Sequence, residues 1–96
     1  DEFDLAGVAR VDCETIACPR VTGAPATLEC RMTQILTLKG HENFLIIGEV
    51  TGIHLRDNCL VDGYFDITRF HPVARGGYKD YSEVREVFQM TRPGEA

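Results

Sequence analysis

The chain contains no apolar run approaching the roughly 18 residues that a membrane-spanning helix needs. Nor do its basic residues stand together: eight arginines and two lysines are scattered through 96 residues of net charge −5. Without a basic stripe, neither a nucleic-acid polymer nor an anionic membrane is an expected partner. No Gly-x-Gly-x-x-Gly follows a strand pattern, and no Gly-Lys-Ser/Thr loop is present to cradle phosphate. Ser82 is the single serine and has no His–Asp setting, which speaks against a serine hydrolase. No pair of carboxylates stands out for glycosidase-type acid/base work. No two of His41, His54 and His71 are spaced for a shared metal, and Cys13, Cys18, Cys30 and Cys59 match no common zinc pattern. Two disulfides are conceivable in a secreted chain, yet Cys30 has apolar neighbours in a strand pattern. The expectation is therefore reduced, structural thiols and a cytoplasmic location. The first residues, Asp1-Glu2-Phe3-Asp4, do not form a signal peptide. Repeats and low-complexity segments are lacking as well.

What is present belongs to a folded domain, with 44% apolar and 26% charged residues. Its length fits one domain or part of one. Asp1 to Ala6 has helical character, closed by Gly7. Residues 8–25, with Pro19, Gly23 and Pro25, read as an irregular, extended connection. In 26-ATLECRMTQILTL-38, Ala26, Leu28, Cys30 and Met32 alternate with polar residues, the pattern of a half-buried strand. Its phase slips at Gln34-Ile35, where a bulge is expected. A polar loop, 39-KGHEN-43, leads into a second strand over 44–57, whose first residues are apolar on both sides and so read as covered on both faces. Asp62-Gly63 signals a tight turn. Residues 67–80 read as a loop, 81–90 as a short helix or a strand, and 91–96 as a mobile tail. Two long antiparallel strands do not close a barrel, and so apolar an edge invites association. This inventory, and a first residue that is not Met, lead to the expectation of further strands, from a preceding segment or a second chain.

Three features carry chemistry. His54, at the end of the second strand, is a candidate proton donor near a cofactor. Glu49 sits in the middle of the same apolar strand and requires a partner, such as an arginine from a neighbouring strand or chain. The stretch 75-RGGYKDY-81 gathers a guanidinium, two glycines and two phenols. Glycines admit a ligand close to the backbone, the rings can stack on a flat heterocycle, and Arg75 can pair with phosphate or carbonyl. The same residues also suit an ordinary turn.

In order, 1-DEFDLAGV-8, 28-LECRMTQI-35, 46-IIGEVTGIHLRD-57, 75-RGGYKDY-81 and 86-EVFQMTRP-93 resemble the C-terminal half of the flavin reductase-like family. The resemblance implies a mainly β fold, an FMN-binding split β-barrel of Greek-key-like connectivity, present as a C-terminal fragment lacking the N-terminal strands. It treats residues 1–96 as the C-terminal part of one domain. It implies an NAD(P)H-dependent flavin reductase, with FMN or FAD as cofactor and NADH or NADPH as donor, working as a homodimer, with a monooxygenase component as a candidate recipient of reduced flavin. Arg75, Gly77, Tyr78, Tyr81 and His54 become the cofactor-binding candidates, with no catalytic residue assigned and no metal. A local departure from the family pattern falls at Gly77-Tyr78. The alternatives are a flavin-binding split-barrel module without reductase activity, and an inactive structural half-domain.

Overall fold

The computed structural model describes residues 1–95; the last residue of the expected tail lies outside them. The fold is mainly β and divides into two compact units, Asp1–Arg56 and the remainder from Asp57.

In the first unit, α1 (Glu2–Ala6) is a single short helix. Asp1 caps it by accepting from the Asp4 amide at 2.9 Å, and Gly7 ends it at φ 70°. Arg10 ties this helix to the strand that follows. Its Nη1 donates to Asp1 at 2.6 Å, and its guanidinium lies over the Phe3 ring. The stretch 8–25, read from sequence as an irregular connection, contains a hairpin of β1 (Arg10–Asp12) and β2 (Pro19–Val21). The proline that argued against a strand stands opposite Asp12. The ladder bonds fall on the neighbouring Cys13–Cys18 pair and on Ala9–Thr22. Antiparallel pairs alternate between bonded and non-bonded, so the missing N–H of Pro19 falls at a non-bonded position and costs no ladder bond.

The main element is the antiparallel ribbon of β3 (Ala26–Thr37) and β4 (Phe44–Leu55). It carries two irregularities, one on each strand. Glu29 pairs with Gly52 but Cys30 with Val50, leaving Thr51 over; Met32 pairs with Gly48 but Gln34 with Ile47, leaving Thr33 over. Each supernumerary threonine uses its hydroxyl on a carbonyl of the opposite strand: Thr51 donates to Glu29 O and Thr33 to Ile47 O, both at 3.2 Å. The shifts cancel, so the register at the two ends of the ribbon is the same. Opposed residues share a face. Followed through the pairing, one face bears Leu28, Cys30, Met32 and Ile35 from β3 with Phe44, Ile46, Val50, Ile53 and Leu55 from β4. The bulge at Thr33 is the phase slip expected near Gln34-Ile35. It returns Ile35 to the apolar face.

The other face bears Thr27, Glu29 and Arg31 opposite His54, Gly52 and Glu49. Burial reverses the simplest expectation. Glu29 on the polar face is fully buried, whereas Leu28, Met32, Ile46 and Ile53 on the apolar face are each more than half exposed. Phe44 to Ile47, expected to be covered on both sides, are exposed on both. The cause is local: within this unit the segment joining β1 to β2 lies on the polar face. The second strand ends at Leu55 rather than residue 57.

In the second unit, β5 (Leu60–Val61) and β6 (Tyr64–Phe65) form a minimal hairpin. Its turn is Asp62-Gly63, at φ 51° and 81°. Positive φ at both central residues is what a type I′ turn demands. A 3-10 turn over Ile67–Arg69 is capped by Asp66, which accepts from the Thr68 amide at 3.0 Å and hydroxyl at 2.6 Å. The rings of Phe65 and Phe70 pack 5.5 Å apart. The supposed loop 67–80 ends instead in β7 (Val73–Gly77), paired with β8 (Asp80–Glu83). Beyond Glu83, residues up to 90 are neither helix nor strand.

Gly63→Ala places a Cβ at a left-handed position and is expected to lower stability by about 1–2 kcal/mol, read as the urea midpoint of the full-length protein. Asp62→Asn, which suits the same turn, is expected to leave it nearly unchanged.

Candidate functional site

Two places collect polar chemistry, one in each unit. The first surrounds Glu29. A lone buried carboxylate is costly unless every lone pair finds a donor. Here Oε1 accepts from the Thr15 amide at 2.7 Å and the Thr15 hydroxyl at 2.6 Å. Oε2 accepts from the Glu14 amide at 3.0 Å and meets His54 Nε2 at 2.5 Å. The Thr15 hydroxyl also touches the Thr51 hydroxyl at 2.6 Å. Gly52, directly across from Glu29, makes the room: a Cβ there would stand 3.4 Å from both the Glu29 carboxyl carbon and the Thr15 methyl.

These donors hold the Glu29 carboxyl well below its ordinary value. The Thr15 hydroxyl contributes most, followed by the Glu14 amide and His54, and together they outweigh burial, which acts in the opposite sense. Glu29 is therefore ionised near neutrality and can only accept, so the proton on the shared line belongs to His54 Nε2. That fixes the ring's orientation and tautomer. Nδ1 remains as a lone pair on the neutral ring or as a second N–H on the cation.

His54 is 21% exposed and lines an open cleft of about 400 Å³ with Arg20, Thr22, Ala24, Ile53, Leu55 and Arg56. Arg20 comes from β2, and its buried Nε has no hydrogen-bond partner among the described residues. Arg56 is steadied by a bond from Nη1 to Gly23 O at 3.0 Å. Two guanidinium groups and an imidazole around one cleft make a setting for an anion.

The second place is the β7–β8 hairpin. Arg75 stands opposite Tyr81, and Gly77 opposite Asp80, with an irregularity at Gly76. Gly77 at φ 115° and Tyr78 at φ 46° turn the chain. Tyr78 is a non-glycine residue held in the left-handed region and is 94% exposed. Arg75 Nε donates to Tyr78 O at 3.0 Å, which pins the guanidinium across the turn. Arg75, Gly77, Tyr78 and Tyr81 are thus brought together, while His54 belongs to the other unit. Glu49, expected to require an arginine, stands opposite Arg31 in the ribbon and is exposed.

Glu29 was not singled out from sequence. It occupies the polar phase of a strand, where a solvated glutamate is the ordinary reading, and three of its four donors come from a hairpin loop that sequence did not reveal. The available signal was the pairing of Glu29 with a glycine across the ribbon. Arg20 and Arg56 likewise looked like scattered surface charge.

The family model for the flavin reductase like domain matches residues 1–73, and the chain belongs to that family. The match contains Glu29, His54, Arg20 and Arg56 and ends before the Arg75–Tyr81 hairpin. The chain is 31% identical over 96 residues to an uncharacterised protein of Deinococcus radiodurans, covering 96% of this chain and 41% of that protein. Among solved structures, it resembles nitrilotriacetate monooxygenase component B from Bacillus cereus, with a TM-score of 0.82 and 26% identity over 93% of this chain and 47% of that one. It also resembles a putative flavin reductase with a split barrel domain from Shewanella frigidimarina, with a TM-score of 0.79 and 20% identity over 95% and 46%. A third is Pseudomonas fluorescens 2-nitrobenzoate 2-nitroreductase, with a TM-score of 0.78 and 23% identity over 97% and 48%. The fold is the split β-barrel of this family, and the chain spans about half the length of the proteins it matches.

Two outcomes test this geometry. A carboxyl held below its ordinary value of 4.5 adds stability in full above that pH and loses it as the pH falls toward the folded value. The urea midpoint is expected to fall on acidification below about 4.5, and to fall less steeply in Glu29→Gln. Asp66, lowered by its bonds to Thr68, adds to the same acid limb in both proteins. Gly52→Val forces methyl groups into the space of Glu29 and Thr15, and is expected to cost about 1–3 kcal/mol by the same measurement.

Proposed function

We propose that the full-length protein is an NAD(P)H-dependent flavin reductase, binding FMN or FAD, acting as a cytoplasmic homodimer and supplying reduced flavin to a monooxygenase component. Family membership supports flavin binding, and the likeness to a monooxygenase component B supports the role in a two-component system. The observation that carries the reading to residues is the cleft beside His54, lined by both Arg20 and Arg56. A flavin or nicotinamide nucleotide brings the phosphate that this donor set fits.

In this reading Arg20 and Arg56 bind the nucleotide phosphate. His54, oriented through Nε2 by Glu29, presents Nδ1 to the bound nucleotide as a proton donor or acceptor. The cofactor, when bound, supplies the redox chemistry, and the chain supplies position and charge. Arg75, Gly77, Tyr78 and Tyr81 form a separate candidate binding surface on the second unit, with the exposed Tyr78 side chain available for stacking on a flat heterocycle and the Arg75 guanidinium already oriented. The strained backbone of Tyr78 supports a binding role for that turn.

The full-length protein is expected to bind flavin and to oxidise NADH or NADPH when FMN is added, followed by loss of nicotinamide absorbance. Arg20→Ala is expected to weaken flavin or nicotinamide nucleotide binding about 10- to 100-fold, the usual worth of one charge-assisted hydrogen bond. A colourless protein without flavin-dependent turnover overturns the reading. Flavin bound without turnover favours a non-enzymatic flavin-binding module instead.

A further inference from the structure

Cys13 and Cys18 are free thiols, and they stand opposite each other. The β1–β2 register continues one step past Asp12–Pro19, where the Cys13 amide donates to Cys18 O at 3.2 Å. A bonded antiparallel pair holds its Cα atoms about 5.5 Å apart, inside the roughly 4.4–6.8 Å that a disulfide spans. Directly opposed residues also project their side chains from the same face. The thiols are neighbours: after burial and the charge of Glu29, the Cys18 thiol is a further cause that pushes the Cys13 thiol upward. Both line an open cleft of about 450 Å³ with Phe3 and Ile16, wide enough to admit a small oxidant. Cys18 is exposed and Cys13 half-buried.

The residues between them are the ones that hold Glu29. The Glu14 amide, the Thr15 amide and the Thr15 hydroxyl all come from the turn that this pair closes. We propose that Cys13 and Cys18 form a redox-active dithiol that closes to an intramolecular disulfide on exposure to a hydroperoxide, fastening the loop whose Glu14 and Thr15 hold Glu29. This goes beyond the flavin reading and does not depend on it.

The step balances. The exposed Cys18 thiolate attacks a peroxide oxygen, the O–O bond breaks, and water leaves after protonation, giving a sulfenic acid. The Cys13 sulfur then attacks that sulfur, expelling a second water and forming the S–S bond. Two thiols lose two hydrogens and two electrons, and the peroxide is reduced to two waters. The greater burial of Cys13 assigns it the second, resolving role.

Trypsin isolates the pair, because Arg10 and Arg20 bracket residues 11–20 and no basic residue lies between. The full-length protein, reduced and then treated with stoichiometric hydrogen peroxide, is alkylated and digested without reductant. Peptide 11–20 is expected to appear two hydrogens lighter and without alkyl groups, while the peptides with Cys30 and Cys59 remain alkylated. In Cys13→Ser, Cys18 is expected to stop at the sulfenic acid and be trapped by dimedone. Amide exchange at Glu14 and Thr15 is expected to slow in the oxidised protein. A doubly alkylated peptide 11–20 after peroxide treatment, Cys18 cross-linked to another peptide, or exchange at Glu14 and Thr15 that is not slowed each overturns the proposal.

Discussion

The buried Glu29 carboxylate organises the first unit. Four donors from two separate stretches of chain converge on it, three from the Glu14–Thr15 turn and one from His54 at the far end of β4. Such a group could not stay buried if the donors were removed singly, because each lost bond leaves charge uncompensated in a dry site. The carboxylate therefore couples features that look independent. It holds the β1–β2 hairpin on the ribbon, sets the tautomer of His54, and explains why a glycine stands across from it. It also brings Arg20 on β2 beside His54 on β4, and so defines one wall of the cationic cleft.

The two units differ in how they are held. In the first, polar bonds do the positioning while the apolar face of the ribbon stays largely exposed. A two-stranded ribbon is marginal in water by itself, and burial of that face belongs to whatever completes the barrel. In the second, short-range devices dominate: a type I′ turn, an Asp cap, one aromatic contact and the Arg75–Tyr78 link across a strained turn. Local devices of this kind fix a hairpin's shape without a large core.

Much of the frame was legible in sequence because it rests on local rules. The short helix and its Gly7 stop, the long ribbon, its phase slip and the Asp62-Gly63 turn follow from capping, alternation and turn chemistry. The family could be read from the order of short segments. Less legible were features that depend on distant pairing. The β1–β2 hairpin was hidden because Pro19 normally argues against a strand, and only the bonded or non-bonded alternation shows that it is harmless there. Glu29 was hidden because burial of a charge is a property of its donors, and those lie 14 and 15 residues upstream and, in His54, 25 residues downstream. Arg75 to Tyr81 was recognised as a compact cluster, although as part of a strand pair rather than a loop.

The two bulges have a consequence for the length of the chain. Each twelve-residue strand contributes eleven rungs to the ribbon, because Thr33 and Thr51 pair with nothing. These threonines are spacers in a ladder that would read the same without them. Removing either one preserves the side on which every other residue points, whereas an extra residue in a regular stretch would turn over everything between it and the next bulge. Relatives of this chain can therefore differ in length by one at these two places while keeping the same surfaces. An alignment gap at Thr33 or Thr51 would mark a conserved geometry rather than a divergent one.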